Sequence, residues 1–277
     1  MVNNYPNKII KRDAPKVLIF DIETAPMNNM AWSLWDNFTP LAFIKEDWFI
    51  LSWAARWLGS SKRSTMYEDV QGYVDTRDDS KLLKNIWQLL DEADVVVTQN
   101  GISFDAKKLA ARFIANGYGK PSPYRHIDTL KIAKREFKFT SNKLEYMTDR
   151  FCHTYKKLKH GKFAGVELWV ECLKENPKAW AEMKKYNKYD TLSLEELYML
   201  FRGWDSKHPN MALFNDDETV QCNVCGSDDL EENGMSYTNA SKFQRYRCLN
   251  CGKPDLRGKV NLLSKEKRAK LLMNTMQ

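Results

Sequence analysis

The chain has 277 residues, 43% hydrophobic and 29% charged, with 43 Lys/Arg against 36 Asp/Glu and a formal net charge of +7. That is the composition of a soluble globular protein with room for one substantial domain and a small module. No apolar stretch approaches the roughly 20 residues that cross a bilayer, and the N-terminus lacks a signal-peptide core. We therefore expect no membrane association and a cytoplasmic location. The modest positive charge permits nucleic-acid binding without requiring it.

Residues 1–6 read as a loose tail. The short, bounded run Val17-Leu18-Ile19-Phe20 predicts a buried strand over 16–23. Residues 28–47 are aromatic and irregular, with Trp32, Trp35 and Phe38. Strands are predicted over 49–57 and 64–68, separated by the turn Gly59-Ser60-Ser61. Leu82, Leu83, Ile86, Leu89 and Leu90 recur at helical spacing over 80–92. Another buried strand covers 94–98 and is broken by Asn100-Gly101. A helix follows over 104–116, ending at Gly117, then a short strand over 125–129. The remainder to about residue 201 is mostly helical.

This order predicts an α/β fold, a mixed sheet flanked by helices. Gly203, Pro209 and the run Asp216-Asp217-Glu218 mark 203–218 as a linker. It separates a domain over 1–202 from a module over 219–256. Residues 257–277 form a basic tail, with Arg257 and five further Lys/Arg against one Glu. No internal repeat is visible.

Asp21 and Glu23 follow the first apolar run directly. Residues two apart on a strand point to the same face, so two carboxylates project side by side from the end of a core strand. Like charges this close resist joint ionisation unless a cation lies between them. A divalent metal is one reading; a solvated strand end with a helix-capping acid is the other. Asp105 follows a second buried strand and turn and opens a helix, where the macrodipole alone would favour an acid. Tyr186 and Asp190 are four apart in a helical segment and share a face, as many such pairs do on ordinary helices.

In combination, Asp-x-Glu on a strand, Asn-Gly-x-x-Phe-Asp after a second strand and Tyr-x-x-x-Asp on a late helix resemble the DEDD family of 3′-5′ exonucleases, tyrosine subclass. This is the DnaQ-like, proofreading-exonuclease and RNase D type of domain, with an RNase H-like fold. The resemblance covers roughly residues 14–202. His126-Ile127-Asp128-Thr129-Leu130 is similar to the family's strand-to-helix junction. Ser141-Asn142-Lys143-Leu144-Glu145-Tyr146 and Gly165-Val166-Glu167-Leu168-Trp169 are similar to stand-alone exonucleases of bacteriophages. A phage protein would work in the host cytoplasm.

The resemblance implies two Mg²⁺ or Mn²⁺ ions held by Asp21, Glu23, Asp105 and Asp190, with Tyr186 orienting the attacking water. Oxygen-only ligands suit these ions better than zinc. It also implies that Asn100 and Phe104 flank the terminal nucleotide. Trp32 and Trp35 follow the first acidic strand; they would either stack on bases or plug the core beside the sheet. Lys143 belongs to a stretch, 131–163, with ten Lys/Arg and three acids, densest at Lys156-Lys157-Leu158-Lys159-His160-Gly161-Lys162. That stretch is either a solvated face or a groove tracking a phosphate backbone.

Of six cysteines, four form the pairs Cys222-x-x-Cys225 and Cys248-x-x-Cys251, each followed at once by glycine, Gly226 and Gly252. This spacing predicts a four-thiolate, structural Zn²⁺ site of zinc-ribbon type. So small a module needs the metal for folding. Cys152 and Cys172 read as small buried apolar residues. Before the second pair, Arg245 and Arg247 share one face of a strand and Tyr246 the other, an arrangement suited to nucleic-acid contact or to protein docking.

The leading functional expectation is a metal-dependent exonuclease acting on DNA from the 3′ end, at single-stranded or frayed ends. The rivals are the same chemistry on RNA, a nucleic-acid-binding subunit without turnover, and a proofreading subunit working with a separate polymerase or replication protein.

Overall fold

The computed structural model describes residues 6–9, 14–33, 35, 38–158, 161–214, 216 and 218–273. Of the stretches singled out above, residues 1–5, Lys159, His160, Asp217 and residues 274–277 lie outside them. The chain divides into two compact units, one of residues Lys16–Tyr198, the other of Met1–Pro15 with Met199–Gln277.

In the first unit, β1 (Val17–Thr24), a short pair β2 (Asn28–Asn29) and β3 (Ile44–Glu46), β4 (Ile50–Trp57) and β5 (Met66–Asp69) precede α1 (Ser80–Glu92). Then come β6 (Val95–Thr98), α2 (Asp105–Ala115), β7 (Arg125–Asp128), α3 (Thr129–Glu136), α4 (Leu144–Phe151), α5 (Glu167–Leu173) and α6 (Pro177–Phe201), the last three residues of which are counted with the second unit. Among the described residues the main sheet runs β5-β4-β1-β6-β7. Strand β1 is its centre, antiparallel to β4 and parallel to β6. A strand paired on both edges and covered on both faces has no water to solvate its side chains, which is why 17–20 are continuously apolar.

Side chains alternate along β1. Leu18, Phe20 and Ile22 join Trp53 and Ala55 of β4 and Leu82, Leu83, Ile86 and Leu90 of α1 in the main core. Burying each of the leucine, isoleucine and phenylalanine side chains among them contributes about 1.5–3 kcal/mol. The indole N–H of Trp53 donates to the Leu82 carbonyl at 3.1 Å, so even the largest of them leaves no polar atom unmet. Asp21 and Glu23 fall on the opposite face, with Ile19. The third predicted strand starts two residues late, at Met66, because residues 62–64 close a 3₁₀ turn in which the Ser64 N–H bonds the Ser61 carbonyl at 3.0 Å.

The second unit contains a 3₁₀ turn Met211–Phe214, the hairpin β8 (Leu230–Thr238) and β9 (Ser241–Cys248), a short β10 (Leu256–Arg257) and α7 (Lys265–Ala269). The order in its sheet is β10-β9-β8. The N-terminal segment is held in this unit. Arg202 donates to the side-chain oxygen of Asn7 at 2.7 and 3.0 Å. Asn250 and Lys8 exchange a pair of hydrogen bonds at 2.6 and 2.8 Å. Arg202, Asp205 and Met211, within or beside the stretch predicted as a linker, are buried.

Candidate active site

Strand β1 delivers Asp21 and Glu23 to the end of the sheet next to a register shift against β4, between Glu23 and Thr24. The parallel neighbour β6 delivers Asp105 through a tight turn. Asn100 takes φ 65°, in the left-handed region that asparagine tolerates. A Cβ on Gly101 would lie 2.3 Å from the Thr98 hydroxyl, so only glycine fits. The buried Asp128 carboxylate then accepts the Asn100 and Ile102 N–H groups at 2.9 and 3.3 Å and caps α3 through Leu130 and Lys131. This one acid closes the turn from which Asp105 starts α2. Asp105 Oδ1 in turn accepts the Ile22 N–H of β1 at 3.2 Å.

Helix α6 brings Tyr186 and Asp190 to the same place on one face. One oxygen each from Asp21, Glu23 and Asp190 lies within 4.8 Å of the others. Asp105 stands beside this group and acts on Asp21 electrostatically. Each of the four carboxylates has a donor. Asn187 Nδ2 donates to Asp21 Oδ2 at 2.7 Å, and the Trp169 indole donates to Glu23 Oε2 at 3.2 Å. The Ile22 amide serves Asp105, and Lys157 Nζ bonds Asp190 Oδ2. The Lys157 ammonium also lies 4.5 Å from the Tyr186 ring centroid.

These neighbours set the protonation. Burial, then Glu23, Asp105 and Asp190, push the Asp21 carboxyl well above the ordinary range. Burial and Asp190 lift Glu23 to about 8. Burial takes Asp105 to about 7, against the pull of the Ile22 N–H. The Tyr186 hydroxyl, buried and near Asp190, is pushed up to about 12 and is neutral at physiological pH. Lys157 is held charged by Asp190, Tyr186 and Asp21 in spite of its burial. One ammonium faces four carboxylates, so the cluster is short of positive charge. A set of hard oxygen donors that cannot all ionise without a cation fits Mg²⁺ or Mn²⁺.

Sequence reasoning missed how three residues act. Lys157 was only part of a charge run. Its loop is fastened by Glu196 of α6, which accepts the His153, Thr154 and Tyr155 amides at 2.6, 3.0 and 2.7 Å. Asn187 is fully buried and adjoins Tyr186; the Ser52 hydroxyl donates to its other end at 3.4 Å. Trp169 ends the stretch Gly165-Val166-Glu167-Leu168-Trp169, to which the family resemblance gives no role of its own.

The expected substrate contacts are dispersed. Asn100 shapes the turn, and Phe104 is 40% exposed beside it. Lys108, one turn into α2, sits 3.5 Å from the Trp48 ring centroid and 5.7 Å from that of Phe104. Trp32 and Trp35 are 88% and 87% exposed, which removes the core-plugging reading. With Met30, Phe38 and Phe43 they line an open hollow of about 430 Å³. Lys143 precedes α4 and is exposed. The basic stretch is not one free face: Lys156 pairs with Asp149, Arg135 with Glu136, and Lys157 turns into the acidic cluster.

In the second unit Cys222, Cys225, Cys248 and Cys251 converge and are buried. Sulfur separations of 3.6 Å for Cys222–Cys251 and Cys225–Cys248 are far beyond a disulfide's ~2.05 Å. They are close to the roughly 3.8 Å between thiolates on tetrahedral zinc. Gly226 and Gly252, at φ 70° and 77°, turn each knuckle. Their amides bond the Cys222 and Cys248 carbonyls at 2.9 and 3.0 Å. The cysteine set fits a structural zinc ion. On β9, Arg245 donates to the Asn233 carbonyl at 2.6 Å and Arg247 pairs with Glu231 at 3.1 Å, so both expected nucleic-acid contacts also have partners within the hairpin.

A family model described as RNase H superfamily matches residues 58–202, which include Asp105, Tyr186 and Asp190 but not β1. No curated protein matches the sequence. Among solved structures, one similar chain is the family B DNA polymerase from the hyperthermophilic archaeon Pyrobaculum calidifontis. It shares 17% identity over 69% of this chain at a TM-score of 0.45. The matched part is 25% of the polymerase's length.

Proposed function

Since this chain belongs to the RNase H superfamily and gathers four carboxylates with a tyrosine at the end of its central strand, we propose that it is a metal-dependent 3′-5′ exonuclease. It would be of the DEDD type, tyrosine subclass, and act on DNA at single-stranded or frayed ends. The observation that carries the reading is the convergence of oxygens from Asp21, Glu23 and Asp190 within 4.8 Å.

In this reading Asp21, Glu23, Asp105 and Asp190 hold Mg²⁺ or Mn²⁺, which when bound supply an acidified water and neutralise charge on the leaving oxygen. The neutral Tyr186 hydroxyl, on the same helix face as Asp190, orients the attacking water. Phe104 and the exposed Trp32 and Trp35 stack on bases, and Lys143 contacts the backbone. The nuclease domain of this reading is the unit of residues 16–198, and the zinc ribbon over 219–256 belongs to the other unit together with the N-terminal segment. Arg245 and Arg247 of the ribbon add to the grip on the strand. The stretches 141–146 and 165–169 resemble those of stand-alone phage exonucleases, and the chain would work beside a separate polymerase.

The test is a 5′-labelled single-stranded oligonucleotide, as DNA and as RNA, incubated with Mg²⁺ or with EDTA. A metal-dependent ladder on DNA is expected. Asp21→Ala and Asp190→Ala should each lower turnover by at least ~10³, about 4 kcal/mol of barrier. Near-normal activity of purified Asp21→Ala would remove the proposal, and cleavage of RNA alone would transfer it to the exoribonuclease branch.

A further inference from the structure

We propose that Trp169 is a positioning residue that holds Glu23 and Tyr186 in register with each other, and so tunes how the acidic cluster binds a divalent cation. The inference rests on the nuclease reading for what the cluster does, but its geometry stands alone.

Two contacts carry it. The Trp169 indole N–H donates to Glu23 Oε2 at 3.2 Å. The same ring meets Tyr186 edge to face, with centroids 6.1 Å apart and planes at 79°. One rigid bicyclic side chain therefore touches a carboxylate from β1 and the tyrosine from α6. An edge-to-face pair sets the direction of the partner ring, and an N–H on one carboxylate oxygen removes rotation about the last bond of the glutamate. Glu23 needs such a restraint more than Asp21 does. It is one methylene longer, and it sits where β1 slips register against β4, so the strand defines its side chain less well.

The donor is well anchored. Helix α5 packs Leu168 and Cys172, four apart, into the main core with no exposure. Position 169 follows the first of these anchors, and its indole, partly buried, packs against the same core. The start of the helix is closed by the Glu167 carboxylate, which accepts the Ala164 N–H at 3.2 Å. Groups that hydrogen-bond a metal ligand from behind commonly change metal affinity about 10–100-fold when removed.

The experiment uses the full-length zinc-loaded protein as wild type, Trp169→Phe and Trp169→Gln. Phenylalanine keeps a ring against Tyr186 and removes the donor; glutamine keeps an N–H and removes the ring. Mn²⁺ binding is read by calorimetry without nucleic acid, and turnover on the labelled oligonucleotide at saturating Mn²⁺. We expect Trp169→Phe to bind Mn²⁺ on the order of tenfold more weakly, with much of the turnover regained at saturation. Trp169→Gln should restore Mn²⁺ affinity towards wild type yet stay low in turnover, because Tyr186 has lost its stop. Unchanged affinity in folded Trp169→Phe overturns the proposal. So does equal loss of affinity in both variants, which would mark a packing role. Wild type that binds Mn²⁺ but cleaves neither DNA nor RNA would instead sink the nuclease reading, with the Mn²⁺ comparison between variants still deciding the role of Trp169.

Discussion

Lys157 places its ammonium on the Asp190 carboxylate, where oxygens of Asp21, Glu23 and Asp190 converge. It thus supplies positive charge where the cluster is most crowded with negative charge. The Asp190 side chain is 3% exposed and that of Lys157 22%. In metal-free protein, Lys157→Met should cost roughly 1–3 kcal/mol, less than a fully buried pair because the lysine is partly solvated. Millimolar Mg²⁺ should recover most of that loss. Thermal unfolding of both proteins in EDTA and in Mg²⁺ checks it; equal melting temperatures in EDTA would exclude Lys157 as the counter-charge.

Asp128 accepts four backbone N–H groups, from Asn100, Ile102, Leu130 and Lys131. Asp128→Ala leaves these donors without their acceptor, at a cost of about 1–3 kcal/mol each if buried and unmet. We expect a clear fall in the urea midpoint and a loss of turnover, since the turn presenting Asp105 loosens. Asp128→Asn, which keeps an acceptor oxygen, should lie between. A wild-type urea midpoint in the alanine variant would show that the turn holds without the acid.

His126 gives a pH signature away from the acidic cluster. Its Nε2 lies 2.8 Å from the Thr98 hydroxyl. Burial lowers its pKa from 6.5 to about 4. Between these values the unfolded chain binds a proton that the folded chain refuses. Stability from this residue is therefore present above pH 6.5 and is lost as pH falls towards 4. His126→Gln should flatten the stability profile in that window. Identical slopes for the two proteins between these pH values would refute the assignment.

Removal of zinc should act on the second unit first. Asn250 bonds Lys8 and also donates to Cys225 Sγ at 3.5 Å, so the cysteine cluster and the N-terminal segment share one side chain. A chelator, or Cys248→Ser, should unfold the β8–β9 hairpin and expose residues near Asn7 to protease. Metal analysis should return one zinc per chain in the wild type. Protection of the N-terminal segment after complete zinc removal would contradict this coupling.

The sequence alone determined the features written in short-range spacing. Alternation on β1 put Asp21 and Glu23 on one face, helical spacing put Tyr186 with Asp190, and CxxC-Gly spacing marked the metal knuckles. Each depends on a period of two, on a period of 3.6, or on a tight turn that one residue type permits. Asn100-Gly101 was legible as a break for the same reason, although Asp128, 28 positions from Asn100, was needed to close it. Only the tertiary structure decided that Lys157 enters the acidic cluster while Lys156 stays with Asp149. It likewise decided that Trp169 backs Glu23, that Asn187 fixes Asp21, and that Trp32 and Trp35 face solvent rather than the core. These partners come from separate elements, 33 to 166 positions apart for the hydrogen-bonded pairs. No local period records which side chains meet when a loop held by Glu196, a helix pinned by Leu168 and Cys172, and the central strand close around one another.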